Sequence, residues 1–588
     1  MSNLIKPPGL TRRQFVTGTS AGLALTAAGI PLRARGESPQ PILRGNRFDL
    51  NIGYQQVNFT GRERMATTVN NSLPAPVLRW KEGERVVMNV SNSLATDTSI
   101  HWHGMILPTE MDGVPGLSFG GIKPGDTFRY EFDVRQYGTY WYHSHSGFQE
   151  QTGVYGAIVI DPAEPEPFSY DRDYVILLSD WSDDEPADVY ATLKKQSHFY
   201  NWQERTLVDL WRDWRNKGVG ETAADRHMWN MMRMSDRDIS DVNGTTYTFL
   251  MNGVTPADGW TGLFKRGEKI RLRFINASAM TLFDIRIPGL KMTVVASDGQ
   301  YLEPVTVDEF RMGVAETYDV IVEPDGDSAY CVFAQSIDRT GFARGTLTPD
   351  TSVRAEPPAM DPRPILTHTD MGMAHAGHMN HKAMNHDEMN HGEIDHSGHT
   401  GHKGGTGLAP AGAGSNAEII HAPEEKGPHI DMLAEIPMQR LDDPGVGLRD
   451  NGRRVLTYAD LRNLNPTPDP RDPTREIQLH LNGNMERYMW SINGVRFADA
   501  EPLELTYGER VRITLVNDTM MNHPIHLHGM WSDLETGDGQ FIPRKHTVLV
   551  QPGSKLSYLV TADARGRWAY HCHLMYHMMS MFREVRVS

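Results

Sequence analysis

Residues 571–580 read His-Cys-His-Leu-Met-Tyr-His-Met-Met-Ser, and this stretch constrains the fold more than any other. On an extended strand, side chains at i and i+2 share a face and the one between them points the other way. A strand here sends His571 and His573 to one side and Cys572 to the other. His571 and His573 can thus enter one metal site and Cys572 another behind it, joined by a few covalent bonds. That layout suits taking electrons in at one site and using them at another.

Three more histidine clusters accompany it: His101-Trp102-His103-Gly104, His143-Ser144-His145, and His523-Pro524-Ile525-His526-Leu527-His528-Gly529. Each holds an HxH pair, which on a strand again puts two imidazoles on one face. One such pair is commonplace in a sheet, but four of them, the last with a cysteine between its histidines, point to metal. A His₂Cys set with a weak thioether suits a copper electron-transfer site, because thiolate and thioether are soft ligands. An all-imidazole cluster with open positions suits copper that binds and reduces dioxygen. Zinc needs four closed ligands, or three and a water, and there are too many histidines here for one such site.

These four segments resemble the four copper-binding segments of the multicopper oxidases, and the resemblance covers most of the chain. It implies that His523, Cys572 and His577 hold a mononuclear (type 1) copper. It implies that His101 and His526 hold a type 2 copper, and that His103, His143, His145, His528, His571 and His573 hold a type 3 pair. That makes four core copper ions, with electrons leaving Cys572 through His571 and His573 to reduce O₂. The family places its axial type 1 residue ten positions after the cysteine, which here is Phe582. Met581 lies one position earlier and is the favoured axial ligand, with Phe582 the alternative. Asp112 stands at the spacing where the family keeps an acidic residue near the trinuclear site, and a carboxylate there relays protons. Tyr576 occupies the place where some relatives carry a second acid, and a tyrosine is a poorer proton donor than a carboxylic acid.

The rest of the chain fits an exported enzyme. A formal charge of −16 argues against nucleic acid or an anionic membrane as partner. Thr11-Arg12-Arg13-Gln14-Phe15-Val16, followed by a short stretch of small and apolar residues, reads as a twin-arginine export signal over residues 1–36, implying the periplasm and passage through the export machinery. No other run approaches a membrane span. Of two cysteines, Cys572 is claimed by copper, so Cys331 reads as a buried thiol with no disulfide partner.

From about Asn46 onward, short alternating strands are broken by Gly, Pro and Asn. Gly83-Glu-Arg-Val-Val-Met-Asn-Val90 is echoed by Gly267-Glu-Lys-Ile-Arg-Leu-Arg-Phe274 and Gly508-Glu-Arg-Val-Arg-Ile-Thr-Leu515, which suggests one β-sandwich used three times. The resemblance implies the same all-β class: three cupredoxin-like Greek-key β-sandwich domains. The expected spans are 45–165, 166–355 and 446–588, with a Met/His-rich linker over 356–445. The middle domain has no paired histidines and reads as a scaffold for the outer two. A helical insertion is expected from Pro186 to Asp238. Residues 371–402 are low-complexity and full of His and Met, which reads as a labile copper-binding tract. A second Met-rich run, Met228–Met234, reads either as a Cu(I) site or as core.

The tract, the signal and the four segments are most like the copper-resistance branch of the family. The expected function is a periplasmic oxidase converting Cu(I) to Cu(II) at the expense of O₂. The rivals are a laccase-like phenol oxidase with the same core and a copper-sequestering protein with incidental activity. A copper nitrite reductase is disfavoured by the His-Cys-His motif and the trinuclear histidines.

Overall fold

The computed structural model describes residues 40–203, 205–373 and 408–588. The twin-arginine segment and the Met/His tract beyond Met373 lie outside them. Strands dominate, and they form three pairs of packed sheets over residues 42–161, 172–348 and 438–587, so the all-β, cupredoxin-like expectation holds. Alternation drives the pairing. Strand Arg47–Val57 begins with exposed and buried residues in strict turn, so one face meets the core and the other meets water.

The three echoes occupy the same place in each sandwich. Arg85–Asn92, Ile270–Asn276 and Arg510–Asp518 each run parallel to an earlier long strand and antiparallel to a later one. Each echo opens with a glycine at positive φ, namely Gly83, Gly267 and Gly508, which a turn of that shape requires. The second sheet of each sandwich also repeats. In the outer two, antiparallel neighbouring strands pair His101 with His143 and His526 with His571, whereas those of the middle one pair Phe283 with Ser336. The middle unit keeps the scaffold and lacks the imidazoles.

Buried charges tie the middle unit to its neighbours. Thr139 of the first unit donates to Asp319 at 2.8 Å, and Asp319 also takes Arg271 at 2.6 Å. Lys545 of the third unit is fully buried between Asp298 at 3.1 Å and Glu316 at 3.0 Å. Removing one partner of such a buried group costs about 3–5 kcal/mol, because the other is left unpaired.

The expected insertion is present as helices Pro186–Leu193, Leu207–Lys217 and Val219–Met231. A capping box in which Thr206 and Asp209 bond each other's backbone N–H groups starts the second of these. Met232 and Met234 are buried in the core while Met231 is exposed, so most of that Met-rich run is packing. Met371 is likewise fully buried, so the first methionine of the tract belongs to the core. Cys331 is a buried free thiol beside Phe333, and burial pushes it up to about 11. Among the described residues no helix is long and apolar enough to cross a membrane.

Candidate metal centres

Two antiparallel strand pairs bring the eight paired histidines together. His101–His103 and Gly138–His143 come from the first unit, and His523–Leu527 and Gly566–Cys572 from the third. Rings from the two units interleave, with His103 stacked on His526 at 3.8 Å and His101 against His528 at 4.0 Å. A glycine that follows an HxH pair lets the chain turn in a crowded place. Gly529 has φ +72°, and a Cβ there would lie 2.4 Å from Trp568. Gly104 has φ +79°, and its Cβ would lie 2.5 Å from His546.

Donor atoms form three groups: His101, His103 and His526; His103, His143 and His573; and His145, His528 and His571. Within them, His101 Nε2, His103 Nδ1, His143 Nε2, His526 Nε2 and both nitrogens of His573 are buried without a hydrogen-bond partner. Orphaned buried nitrogens are rare in a folded protein and call for an ion. His571 Nε2 also faces His528 Nε2 at 3.0 Å and His145 Nε2 at 3.4 Å, an arrangement suited to lone pairs converging on a cation.

On five of the rings the opposite nitrogen is held in place, which fixes the ring's orientation. His528 Nδ1 donates to Asp112 Oδ2 at 2.9 Å, and His101 Nδ1 donates to the Asp112 carbonyl at 2.8 Å. His143 Nδ1 lies 2.8 Å from Glu150 Oε2, His526 Nδ1 donates to the His546 carbonyl at 2.6 Å, and His571 Nδ1 donates to the Cys572 carbonyl at 3.0 Å. Asp112 thus clamps a histidine from each of the two outer units.

Burial keeps these rings neutral, the form that binds metal. It drives His103, His143, His145, His526, His528 and His573 well below the usual imidazole range, and His571 down to about 4. The unfolded chain, with ordinary values near 6.5, binds more protons below that pH than the folded one. Stability of the metal-free protein is therefore full above about pH 6.5 and is lost as pH falls toward about 4. Melting temperatures of the metal-free protein across that window check this, and a flat profile would contradict a neutral cluster.

Cys572 faces away from these rings. Its Sγ lies 3.5 Å from His523 Nδ1 and 3.9 Å from His577 Nδ1, which are 3.3 Å from each other. A trigonal ion with bonds of about 2.0–2.3 Å spaces its donors about 3.6 Å apart, so the three atoms fit one ion. Burial pushes the Cys572 thiol up, so a cation is what makes it a thiolate. His523 Nε2 is held by Thr519 at 2.8 Å, and His577 Nε2 donates to Asp241 Oδ2 at 2.7 Å. Trp490 stacks on His577 at 3.8 Å, and Tyr488 donates to the same Asp241 oxygen at 2.9 Å.

The register bears on the axial position. Phe582 pairs with His571 across the sheet and stacks on its ring at 5.5 Å, so it shares the face of His571 and not that of Cys572. Met581 lies opposite Cys572, accepts its N–H at 3.1 Å, donates to the His577 carbonyl at 2.8 Å, and is fully buried.

Glu150, His546 and Asp241 are among the contacting residues that were not foreseen. Glu150 follows His143 by seven positions and reaches it only because Gln149–Thr152 makes a helical turn. Burial raises its carboxyl well above the usual range, and its Oε1 has no hydrogen-bond partner. His546 sits alone in sequence between Lys545 and Thr547, yet its Nδ1 is 3.1 Å from His103 Nε2. Asp241 lies just past the inserted helices with no motif around it. Tyr576 is buried and donates to Gln151 at 2.6 Å.

Profiles of the multicopper oxidase family match residues 51–165, 172–352 and 470–588. The chain is 57% identical to copper resistance protein A of Escherichia coli, over 98% of this chain and 99% of the relative. It is 58% identical to a copper resistance protein A homolog of Pseudomonas syringae pv. tomato, over 99% of this chain and all of the relative. Among solved structures it resembles Fet3p, a multicopper oxidase that functions in iron import, with a TM-score of 0.61 and 18% identity over 93% and 91% of the two chains. It also resembles the laccase from Botrytis aclada, with a TM-score of 0.58 and 20% identity over 93% and 88% of the two chains.

Proposed function

The chain belongs to the multicopper oxidase family, and from that premise we propose that it is a periplasmic enzyme of copper resistance that oxidises Cu(I) with dioxygen. Four cuprous ions, one O₂ and four protons become four cupric ions and two waters. Bound copper supplies one-electron uptake beside Cys572 and dioxygen reduction among the histidines. His523, Cys572 and His577 would hold the first ion, with the Met581 thioether as a further donor from the position opposite Cys572. His101 and His526 would hold the type 2 ion. His103, His143 and His573, with His145, His528 and His571, would hold the type 3 pair.

The residues around the ions have separable tasks. Cys572 joins the two centres through its own backbone to His571 and His573. Asp112 orients His101 and His528 and relays protons to the cluster. Glu150 holds a proton at Oε1 beside His143 and His573, filling the role of second acid that Tyr576 cannot serve. Export by the twin-arginine route suits the Arg12-Arg13 signal, and the Met/His tract gathers or delivers Cu(I).

One observation carries the choice of donor. His577, the outer ligand beside Cys572, is fully buried, and its outward nitrogen is taken by Asp241 under Trp490 and Tyr488. A phenol needs an open imidazole edge to pass an electron, and a cation needs a carboxylate. Asp241→Ala is expected to lower kcat/KM for Cu(I) by about 10–100-fold while leaving phenol oxidation unchanged or faster. A parallel loss with both donors would favour the laccase-like reading. The sequestering alternative is tested by deleting residues 374–402: an oxidase keeps its core copper and turnover, and a sequestrant loses most of both its bound copper and its protective effect.

A further inference from the structure

A fourfold donor cluster lies in the third unit and shares no residue with the copper centres. His421 and Glu425 belong to the segment that follows residue 408, where Pro423–Glu425 makes a single tight turn. His480 lies on strand Arg475–Asn484, and Asp518 ends the parallel strand Arg510–Asp518. Asn482 pairs with Asp518 across the two strands, and His480 is two residues before Asn482, so His480 and Asp518 share a face. We propose that His421, Glu425, His480 and Asp518 form a tetrahedral site for a divalent cation, zinc or cupric copper.

The donors stand within about 0.4 Å of the spacing of that geometry, most of them closer together. His480 Nδ1 is 2.9 Å from Asp518 Oδ2 and 3.2 Å from Glu425 Oε2. His421 Nδ1 is 3.0 Å from the same Glu425 oxygen and 3.7 Å from the same Asp518 oxygen. A tetrahedral ion with bonds of about 2.0–2.2 Å spaces its donors about 3.3–3.6 Å apart. All four donor atoms lie within 4.8 Å of one another. Each side chain offers a single atom to the common centre, and each of those atoms faces two of the others.

Charge and chemistry narrow the occupant. Glu425 and Asp518 are both buried, and among the described residues neither has a lysine or arginine in ion-pair reach. Two buried carboxylates without a lysine or arginine beside them are a site whose charge a dication cancels. The donors are imidazole and carboxylate, with no thiolate or thioether, so the set suits Zn²⁺ or Cu²⁺ and not Cu(I). Hydrogen bonding serves only part of the group: His480 Nδ1 reaches Asp518, His421 Nδ1 reaches Glu425, and the Ala434 and Ala422 N–H groups donate to the other carboxylate oxygens, while His480 Nε2 is buried without a partner. His421 is only half-buried and gives the ion a way in. Occupied, the site clips the segment after residue 408 to the sheet.

The test uses the full-length, copper-loaded protein, incubated separately with Zn²⁺ and with Cu²⁺, stripped by a weak chelator and counted for metal. The Met/His tract is present in every variant, so its contribution cancels in comparison. The expected result is one chelator-resistant equivalent that is lost in Asp518→Asn and in His421→Gln. Apparent affinity should fall at least about 100-fold, with the visible copper band unchanged. Should Asp518→Asn fail to fold, His421→Gln at the rim carries the test alone, together with a zinc-dependent rise in melting temperature seen only in the unmodified protein. Retention of Zn²⁺ assigns a zinc site, and retention of Cu²⁺ alone assigns a cupric one. Equal retention by the unmodified protein and His421→Gln, or retention of neither ion, overturns the proposal.

Discussion

Replacing Cys572 with serine is expected to abolish the intense visible absorption and to lower turnover at least about a thousandfold, or about 4 kcal/mol of barrier. The thiolate is the one soft charged ligand of its centre, and Sγ is the atom that joins that centre to His571 and His573 through a few covalent bonds. A serine hydroxyl is hard, stays protonated, and offers no comparable electronic coupling. His523 and His577 keep their outer partners, Thr519 and Asp241, so the pocket itself should survive. The paired histidines point to the other face of the strand and should keep their copper. Visible spectra, metal content and oxygen uptake on one preparation check all three statements. Turnover at the original rate without the band would remove Cys572 from the electron path.

Replacing Asp112 with alanine is expected to cost the histidine cluster about 10–100-fold in copper affinity, with turnover falling at least as far. The carboxylate takes the Nδ1–H of His528 at 2.9 Å and stands 3.3 Å from Nδ1 of His101. The backbone carbonyl of residue 112 still accepts from His101 in the variant, so His528 should lose more of its orientation than His101. Asp112→Asn keeps an acceptor and removes the charge, and should retain more copper than alanine while still losing proton delivery. Copper content after dialysis against graded chelator, set beside oxygen uptake, separates the two roles. Full copper retention with lost turnover would leave Asp112 as a proton relay alone.

The candidate donor residues were legible because their spacing is local. HxH on a strand places two rings on one face whatever the rest of the chain does, and His-Cys-His assigns the cysteine to the opposite face. The threefold sandwich was legible for a similar reason: the Gly83, Gly267 and Gly508 blocks each begin a strand of the same sheet position. Residues that act through tertiary contact left no such trace. Glu150 reaches His143 through one helical turn, Asp241 reaches His577 across 336 positions, and His546 reaches His103 across 443. What bears on Met581 against Phe582 is the register, in which Phe582 falls opposite His571, and spacing alone does not show it. Composition left the run around Met232 and Met234 open between core and Cu(I) site, and both fill the core, as does Met371 at the edge of the tract, because a flexible thioether packs as well as it binds copper.

The central claim is that electrons from Cu(I) enter beside Cys572 and leave to O₂ among the histidines. Oxygen uptake by the copper-loaded protein, with stabilised Cu(I) and then a phenol as sole donor, against Cys572→Ser, tests it most directly. The account predicts fast uptake with Cu(I), little with phenol, and neither in the variant. Uptake driven by phenol in preference to Cu(I), or Cu(I)-driven uptake that survives the loss of Cys572, would contradict it.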